Sequence, residues 1–200
     1  MPDPPVDAYQ RLIEALTTLA GIGPRSAQRI AFDLLKRPAD HTDELIDALR
    51  RFRHDLRACS ICGHVSDADP CRFCTDPKRD PHTVLVVEQP TDALTLDQTG
   101  AYRGRFHVLL GRLSPLDAIG PGDLNLDPLL DRLETEPINE VVLGLSPTLE
   151  GDGTALYLTD ALTQRKPGLT VSRLARGLPN GANLNTLSKA VLADAIHGRH

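Results

Sequence analysis

The spacing of hydrophobic residues changes once along the chain, close to residue 80. Before that point apolar residues recur at helical spacing, which predicts one helix from Tyr9, a second after Pro24 and a third over 43–56. Beyond it, short continuous apolar runs, typical of strands covered on both faces, alternate with helical stretches. The predicted strands are 83–87, 106–110, 141–145 and 169–174, with helices near 91–98, 127–135, 154–164 and 183–196. This order predicts a mixed α+β and α/β chain whose main sheet is mostly parallel and flanked by helices.

The third predicted helix carries a regular apolar stripe. Thr42 is its expected N-cap, and Asp43 and Glu44 suit its first turn. We expect the stripe to be buried, and it consists of Leu45, Ile46, Leu49, Phe52 and Leu56. The arginines toward the end of this helix complement its dipole or provide a second phosphate contact, and they are Arg50, Arg51, Arg53 and Arg57.

A glycine-rich turn separates the first two predicted helices. Gly21 and Gly23 interrupt the helical pattern, and the proline that follows suits the first position of a new helix. Two helices joined by Gly-Ile-Gly form a helix-hairpin-helix pattern, in which backbone N–H groups can approach a DNA phosphate. Arg25 and Arg29 are four residues apart and project from one side of the second helix, so they are the candidate phosphate contacts. The alternative is a tight interhelical turn whose two arginines face solvent. Phe32, on the second helix, is expected to pack in the core.

All four cysteines lie within one short stretch, as two C-x-x-C pairs. Cys59 and Cys62 form the first pair, and Cys71 and Cys74 the second. Two such pairs can enclose a tetrahedral site with four sulfur ligands and no open position, which is typical of structural Zn²⁺. Two disulfides are the alternative, but no apolar export segment begins the chain, and a reducing cytosol favours a metal. His64 is a rival ligand that we expect beside the metal rather than bound to it.

The net charge and its distribution limit which kinds of partner are expected. The net charge is −5, and the excess acid is concentrated in residues 80–177, whereas residues 1–58 are balanced. A DNA-binding surface is therefore expected to be local and to lie in the N-terminal part. No apolar run is long enough to span a bilayer, so we expect a cytoplasmic protein without a membrane partner.

Three acids are expected at one edge of the predicted sheet. Glu88 follows the first strand, and Glu150 and Asp152 lie between the third strand and the next helix. Carboxylates at the carboxyl ends of parallel strands could hold Mg²⁺, or they could cap a helix and face water, and both interpretations stay open. The chain contains no phosphate-binding loop of the G-x-x-x-x-G-K-[ST] type and no evident nucleophile.

Several sequence stretches match one known family in its own order. They are AGIGPRSAQRIAFDLL (20–35), the four cysteines, DPKRD (76–80), VLVVEQPTD (84–92), TGAYRGRFHVLLGRLSPLDAIGPGDL (99–124), SPTLEGDGTALYL (146–158), SRLARGLPNGANL (172–184) and HGR (197–199). On these stretches the chain resembles the bacterial RecR recombination mediator family. The resemblance implies a helix-hairpin-helix region (1–58), a four-cysteine zinc finger (59–79), a Toprim domain (80–177) and a C-terminal helical segment (178–200).

The resemblance also implies a function without catalysis, and hence no catalytic residue. Such proteins help to load recombinase onto single-stranded DNA at gaps, together with RecO and RecF partners, and they assemble from dimers into ring-like tetramers. Carried over by position, Gly21, Gly23, Arg25 and Arg29 would bind single-stranded and duplex DNA without sequence preference, and the four cysteines would hold one zinc ion. The Toprim acids Glu88, Glu150 and Asp152 would form a surface for partners and DNA. A Mg²⁺-dependent nuclease or primase-like enzyme using the same acids is the alternative, and a purely structural zinc protein is a third hypothesis.

The chain departs from the family pattern near its C-terminus. Residues 184–189 read LNTLSK, where the family usually has an acidic run, so Asn185, Ser188 and Lys189 stand at altered positions. This leaves open what the segment contributes to nucleotide binding or to subunit contacts. Ser146 and Asp97 are milder departures.

Overall fold

The computed structural model describes residues 7–175, 177–178 and 181–197. It divides the chain into two compact units, one that ends at Leu56 and one that begins at Arg57. Each unit has its own hydrophobic core and is described by itself. Residues 198 and 199 of the family motif at 197–199, and part of the motif at 172–184, lie outside the described residues.

The first unit consists of three helices. Helix α1 spans Ala8–Thr17, α2 spans Pro24–Lys36 and α3 spans Ala39–Asp55. The core between α1 and α2 is small and contains Ile13, Ala27 and Ala31, with Tyr9, Leu16 and Ile22 packed against it. Small side chains on α2 therefore let the two helices approach closely, as the predicted hairpin requires.

Helix α3 differs from its prediction in both its start and its burial. It begins at Ala39 after Pro38, so Thr42 lies inside the helix and is not its N-cap. No residue of α3 is buried. Of the predicted stripe, Leu45, Ile46, Leu49 and Phe52 are all exposed, with Phe52 at 68%. The prediction of a buried stripe is wrong for the single chain, because the small α1–α2 core offers no second layer to cover it.

Phe32 was also expected in the core of the first unit. Its side chain is instead 55% exposed, although its ring lies 5.5 Å from the ring of Tyr9. The buried positions on α2 are Ala27 and Ala31, which pack against α1.

The second unit begins with a cysteine knuckle. Strands β1 (Arg57–Ala58) and β2 (Val65–Ser66) pair antiparallel, and the short helix α4 (Arg72–Thr75) follows. Both C-x-x-C pairs belong to this segment.

A four-stranded parallel sheet forms the centre of the second unit. Its strands are β3 (Asp80–Val87), β4 (Gly104–Val108), β5 (Glu140–Gly144) and β6 (Thr170–Arg173), in the spatial order β4-β3-β5-β6. The connecting helices are α5 (Pro90–Gln98), α6 (Asp127–Thr135) and α7 (Leu149–Arg165), with α8 (Lys189–His197) near the C-terminus. Two short 3₁₀ helices span Pro121–Asp123 and Leu184–Thr186. The predicted parallel sheet with helical crossovers is confirmed.

Alternating residues of β3 contribute to two separate cores. Val84 and Val86 belong to the core that also holds buried leucines of α6 and α7. Leu85 and Val87 belong to the core that contains the four cysteines and Phe73. Because successive side chains of a strand point to opposite faces, the continuous apolar run reflects a sheet covered on both sides.

Several predicted boundaries move in the structure, and β3 begins at Asp80, three residues before its prediction. Strand β4 ends at Val108, and Leu110 adopts a positive φ of 61° that is incompatible with a strand. Helix α7 begins at Leu149, five residues before the prediction, because Thr148 caps it by accepting a hydrogen bond from the N–H of Gly151. Helix α8 begins at Lys189 rather than near residue 183.

None of the helices in the described residues combines the length and the apolar content that crossing a lipid bilayer requires.

Candidate metal centre and nucleic-acid interface

The sulfur atoms of the four cysteines converge on one point. All four thiols are buried, and their Sγ atoms lie within 4.8 Å of one another. The Sγ atoms of Cys62 and Cys71 are 3.4 Å apart, and those of Cys59 and Cys74 are 3.9 Å apart. A tetrahedral site with Zn–S bonds of about 2.3 Å requires sulfur separations of about 3.8 Å, so the four positions fit a zinc ion. None of the four is in a disulfide.

The electrostatics of the cysteine cluster also favour a cation. The hydrogen bond between Cys62 and Cys71 raises the pKa of Cys62 to about 12. The hydrogen bond between Cys74 and Cys62 raises the pKa of Cys74. The pKa of Cys71 is lowered, because the Cys62 thiol donates to it. By themselves the sulfurs therefore share protons, and four thiolates together need a positive ion at their centre.

Backbone hydrogen bonds fix the knuckle and attach it to the sheet. The Cys59 N–H donates to the carbonyl of His64 at 2.8 Å, and the Cys71 N–H donates to Cys59 Sγ at 3.3 Å. The Val108 N–H donates to the carbonyl of Cys62 at 2.7 Å, which joins the knuckle to the end of β4. Gly63 follows with φ of +71°, and a Cβ there would collide with the Val108 carbonyl and a neighbouring asparagine side chain. The metal site is therefore part of the core that contains Phe73, Leu85 and Val87.

His64 lies beside the cysteine cluster and does not belong to it. Its ring meets the ring of Phe73 edge-on, with centroids 4.7 Å apart, and burial lowers its pKa. The converging set contains the four cysteines alone. The expected place of His64, near the metal but not on it, agrees with this arrangement.

The turn between α1 and α2 has the geometry expected of a helix-hairpin-helix. Gly21 adopts φ of +80°, which glycine adopts without strain, and Gly23 is the N-cap of α2 in an extended conformation. No side chain caps this helix. The Ala27 N–H donates to the carbonyl of Gly23, whereas the N–H groups of Arg25 and Ser26 have no backbone acceptor among the described residues. They are therefore free to bind an anion at the positive end of the helix dipole.

The two arginines of the hairpin are exposed and available. Within the described part of the chain, neither Arg25 nor Arg29 forms an ion pair. Arg37 differs, since its Nε lies 2.7 Å from an oxygen of Asp33, and Arg50 pairs with Asp47 at 3.4 Å. No acid of the described residues thus neutralises the charge of the two hairpin arginines.

The three acids of the Toprim-type sheet do not form one cluster. Glu88 is buried at the end of β3, and Glu150 and Asp152 lie in the first turn of α7 rather than in a loop. Arg112 bridges Glu88 and Glu150, whereas Asp152 pairs with Arg173 at 2.6 Å. Among the described residues, the cysteines are the sole group of three or more histidines, cysteines and acids whose ligand atoms converge.

Sequence reasoning missed the two arginines that pair with the acids. Arg112 follows β4 and Arg173 ends β6, so both lie at the same sheet edge as the acids. The signal that could have found them is their position, because each follows or ends a predicted strand and the carboxyl ends of parallel strands meet at that edge.

Comparisons with known proteins agree with this architecture. A model of the RecR helix-hairpin-helix matches residues 9–53, a model of the RecR four-cysteine zinc finger matches 56–76, and a Toprim domain model matches 82–175. "Recombination protein RecR" of Rhodopirellula baltica is 46% identical over 192 residues, which cover 96% of either chain. The protein of that name from Anaeromyxobacter dehalogenans is 46% identical over 194 residues, 96% of either chain, and that from Cutibacterium acnes is 45% identical over 190 residues, 95% of this chain and 94% of the relative. The chain belongs to the RecR family.

Membership in the RecR family settles the nature of the cysteine site. The four cysteines form the zinc finger of RecR, which holds one structural zinc ion. The predicted combination of helix-hairpin-helix, zinc finger, Toprim sheet and C-terminal helix is confirmed. The boundary between the RecR finger and the Toprim domain is not a boundary between cores, because the cysteines pack with Leu85 and Val87 of β3.

Proposed function

We propose that this protein is a DNA-binding recombination mediator in DNA repair, without catalytic activity of its own. Its relatives carry the name of a recombination protein over almost the full length of the chain. In this proposal it helps to load recombinase onto single-stranded DNA at gaps, in the cytoplasm at the nucleoid. RecO-type and RecF-type proteins are its proposed partners.

The hairpin turn is the observation that carries the proposal. Among the described residues, the N–H groups at the start of α2 have no backbone acceptor and the side chains of Arg25 and Arg29 have no acidic partner, and all of these groups belong to one short segment. Such a segment binds phosphate oxygens and reads no base, so binding is expected to be independent of sequence and to weaken with salt. Gly21 and Gly23 allow the strand of DNA to approach the backbone closely.

DNA binding is tested by replacing the two hairpin arginines together. Arg25→Ala/Arg29→Ala should bind single-stranded and duplex DNA much more weakly, because two phosphate contacts are lost. The slope of log K against log salt should become less negative by about 1.4 for single strands and about 1.8 for duplex. Fluorescence anisotropy at several salt concentrations measures both quantities, and circular dichroism and zinc content verify the fold.

Arg51→Ala/Arg53→Ala is the matched control for the hairpin variant. It removes the same charge from exposed positions of the same unit, on α3. A decrease in affinity confined to the hairpin variant supports the proposal. Equal losses in both variants would refute a role particular to the hairpin, because α3 or general charge would then contribute as much to DNA binding. Unchanged binding by the hairpin variant would refute the assignment outright.

The exposed stripe of α3 is the proposed contact between copies of the chain. Together with α1 and α2 it lines an apolar groove of about 500 Å³. Leu49 is 60% exposed and Phe52 is 68% exposed, on the same helix face. An apolar surface of this kind is typical of an interface between subunits. We propose that it supports a homo-oligomer, from a dimer to a ring-like tetramer.

The acid-bearing edge of the sheet is the proposed docking face for the protein partners. Leu149 precedes Glu150 and is 91% exposed. Leu116 is 94% exposed and lies in the loop whose Ser114 Oγ donates to Glu150 at 2.8 Å. Exposed leucines beside polar groups are characteristic of sites that bind another protein.

One pair of variants tests the two apolar surfaces against each other. Leu49→Lys/Phe52→Lys should lower the mass measured by light scattering and leave binding of a RecO-type partner intact. Leu116→Lys should weaken binding of that partner and leave the mass unchanged. The assignment of the surfaces is wrong if the α3 variant keeps the mass of the wild type or if Leu116→Lys binds the partner equally well.

A further inference from the structure

The guanidinium group of Arg112 pairs with two carboxylates, Glu88 and Glu150, at the edge of the Toprim sheet. Arg112 Nε lies 2.7 Å from Glu150 Oε2, and Arg112 Nη1 lies 3.2 Å from Glu88 Oε2. The Glu88 side chain is 5% exposed, that of Glu150 28% and that of Arg112 41%. The contacts with Arg112 lower the pKa of Glu150, and the two carboxylates raise the pKa of Arg112. Arg112 and Glu150 are therefore charged near neutral pH, and Glu88 shares the same guanidinium.

The remaining carboxylate oxygens of this group are also occupied. Glu88 Oε1 accepts a hydrogen bond from the N–H of Ser146 at 2.7 Å. Glu150 Oε1 lies 2.8 Å from the hydroxyl of Ser114, whose single hydrogen it shares with Asp117 Oδ2 at the same distance. Three of the four carboxylate oxygens thus have a donor of their own from the protein, the fourth shares one with Asp117, and three segments of the chain meet at the pair.

A Toprim fold implies a divalent ion at these acids, and the residues present do not fit one. Mg²⁺ requires oxygen ligands at about 2.1 Å in octahedral arrangement, and it binds through free carboxylate oxygens. Here a cationic side chain lies between the two carboxylates. The third acid, Asp152, is drawn to Arg173 and does not converge with them. A metal ion would have to displace the guanidinium and would meet its positive charge.

We propose that Arg112 is a fixed counter-cation that takes the place of a divalent metal ion between Glu88 and Glu150. It neutralises the pair, holds the end of β3 against the first turn of α7 and excludes Mg²⁺ from the sheet edge. This inference concerns metal exclusion alone and does not depend on DNA binding by the hairpin, so either can fail without the other.

The proposal is tested with Mn²⁺ as the probe, whose binding to the zinc-loaded full-length chain is followed by electron paramagnetic resonance. Wild type should show no Mn²⁺ binding that depends on Glu88. Arg112→Met keeps the length of the side chain without its charge, and it should gain one Mn²⁺ site, with affinity increased by about tenfold or more. The double variant Glu88→Gln/Arg112→Met should lose that site. Arg165→Met is the matched control, because Arg165 is equally exposed and pairs with acids of α6.

Two outcomes would overturn the proposal. One is Mn²⁺ binding by wild type that Glu88→Gln abolishes, and the other is a folded Arg112→Met variant that binds no more Mn²⁺ than Arg165→Met. If Arg112→Met does not fold, the Nε–Hε resonance of Arg112 in wild type decides. It should stay unchanged when millimolar Mg²⁺ is added, and a shift that Glu88→Gln removes would show that the metal displaces the arginine.

Discussion

His107 should make the stability of the second unit depend on pH in a way that a single substitution can isolate. Its side chain is completely buried on β4, and its Nε2 donates to the carbonyl of Asn125 at 2.6 Å. Arg132 Nη1 lies 3.5 Å from Nδ1, and Glu136 pairs with Arg132 at 2.7 Å. Burial, with a contribution from the charge of Arg132, lowers the pKa of His107 to about 4.

The direction of the effect follows from the two pKa values. In the unfolded chain His107 takes up a proton near its ordinary pKa of about 6.5, whereas in the folded protein it stays neutral until about pH 4. As the pH falls between these values, the unfolded state binds more protons and the free energy of unfolding decreases. The full effect is about 3 kcal/mol, and about 1 kcal/mol of it appears between about pH 7 and about pH 5.5.

His107→Gln isolates this contribution, since glutamine can donate to Asn125 and accept from Arg132 without titrating. The free energy of unfolding of both proteins is measured by urea unfolding with zinc present. On going from about pH 7 to about pH 5.5, wild type should lose about 1 kcal/mol more of this free energy than the variant. Zinc content is measured at each pH, to verify that any loss of metal is the same in both proteins and cancels in the difference. A difference that stays constant over the range, or one that grows in favour of wild type, would refute the reasoning.

Two further predictions concern the second unit. Gly151→Ala should destabilise the protein by about 1–3 kcal/mol, because its Cβ would collide with the carbonyl of Ser146, whereas Gly153→Ala, in open space in the same helix, should stabilise it by about 0.5–1 kcal/mol. Thermal unfolding measures both, and shifts of the same sign would contradict the placement of α7. Removal of zinc with a chelator should abolish hydrogen-exchange protection in β3 and β4, whose residues pack on the cysteines, and leave α1 and α2 protected. Equal loss in both units, or none in the sheet, would contradict a core that the metal completes.

Local patterns in the sequence were sufficient for the hairpin, the metal ligands and the sheet. Gly21, Gly23 and the two C-x-x-C pairs act over a few residues, so their spacing alone indicates their geometry. The burial of α3 could not be predicted in this way, because a helical stripe shows which face is apolar but not what covers it. The same limit applies to Arg112, whose role depends on two carboxylates that are distant in sequence and meet only in the folded sheet.

The two kinds of charged site in this chain differ in how their charge is compensated. The hairpin arginines remain without acidic partners in the described residues, so their charge is available to a ligand outside the chain. The sheet acids are each satisfied by an arginine from the same sheet edge, so little of their charge is available. A site that must stabilise a metal ion and a developing negative charge needs uncompensated carboxylates. The pairing therefore favours a binding scaffold over a Mg²⁺-dependent nuclease or primase-like enzyme.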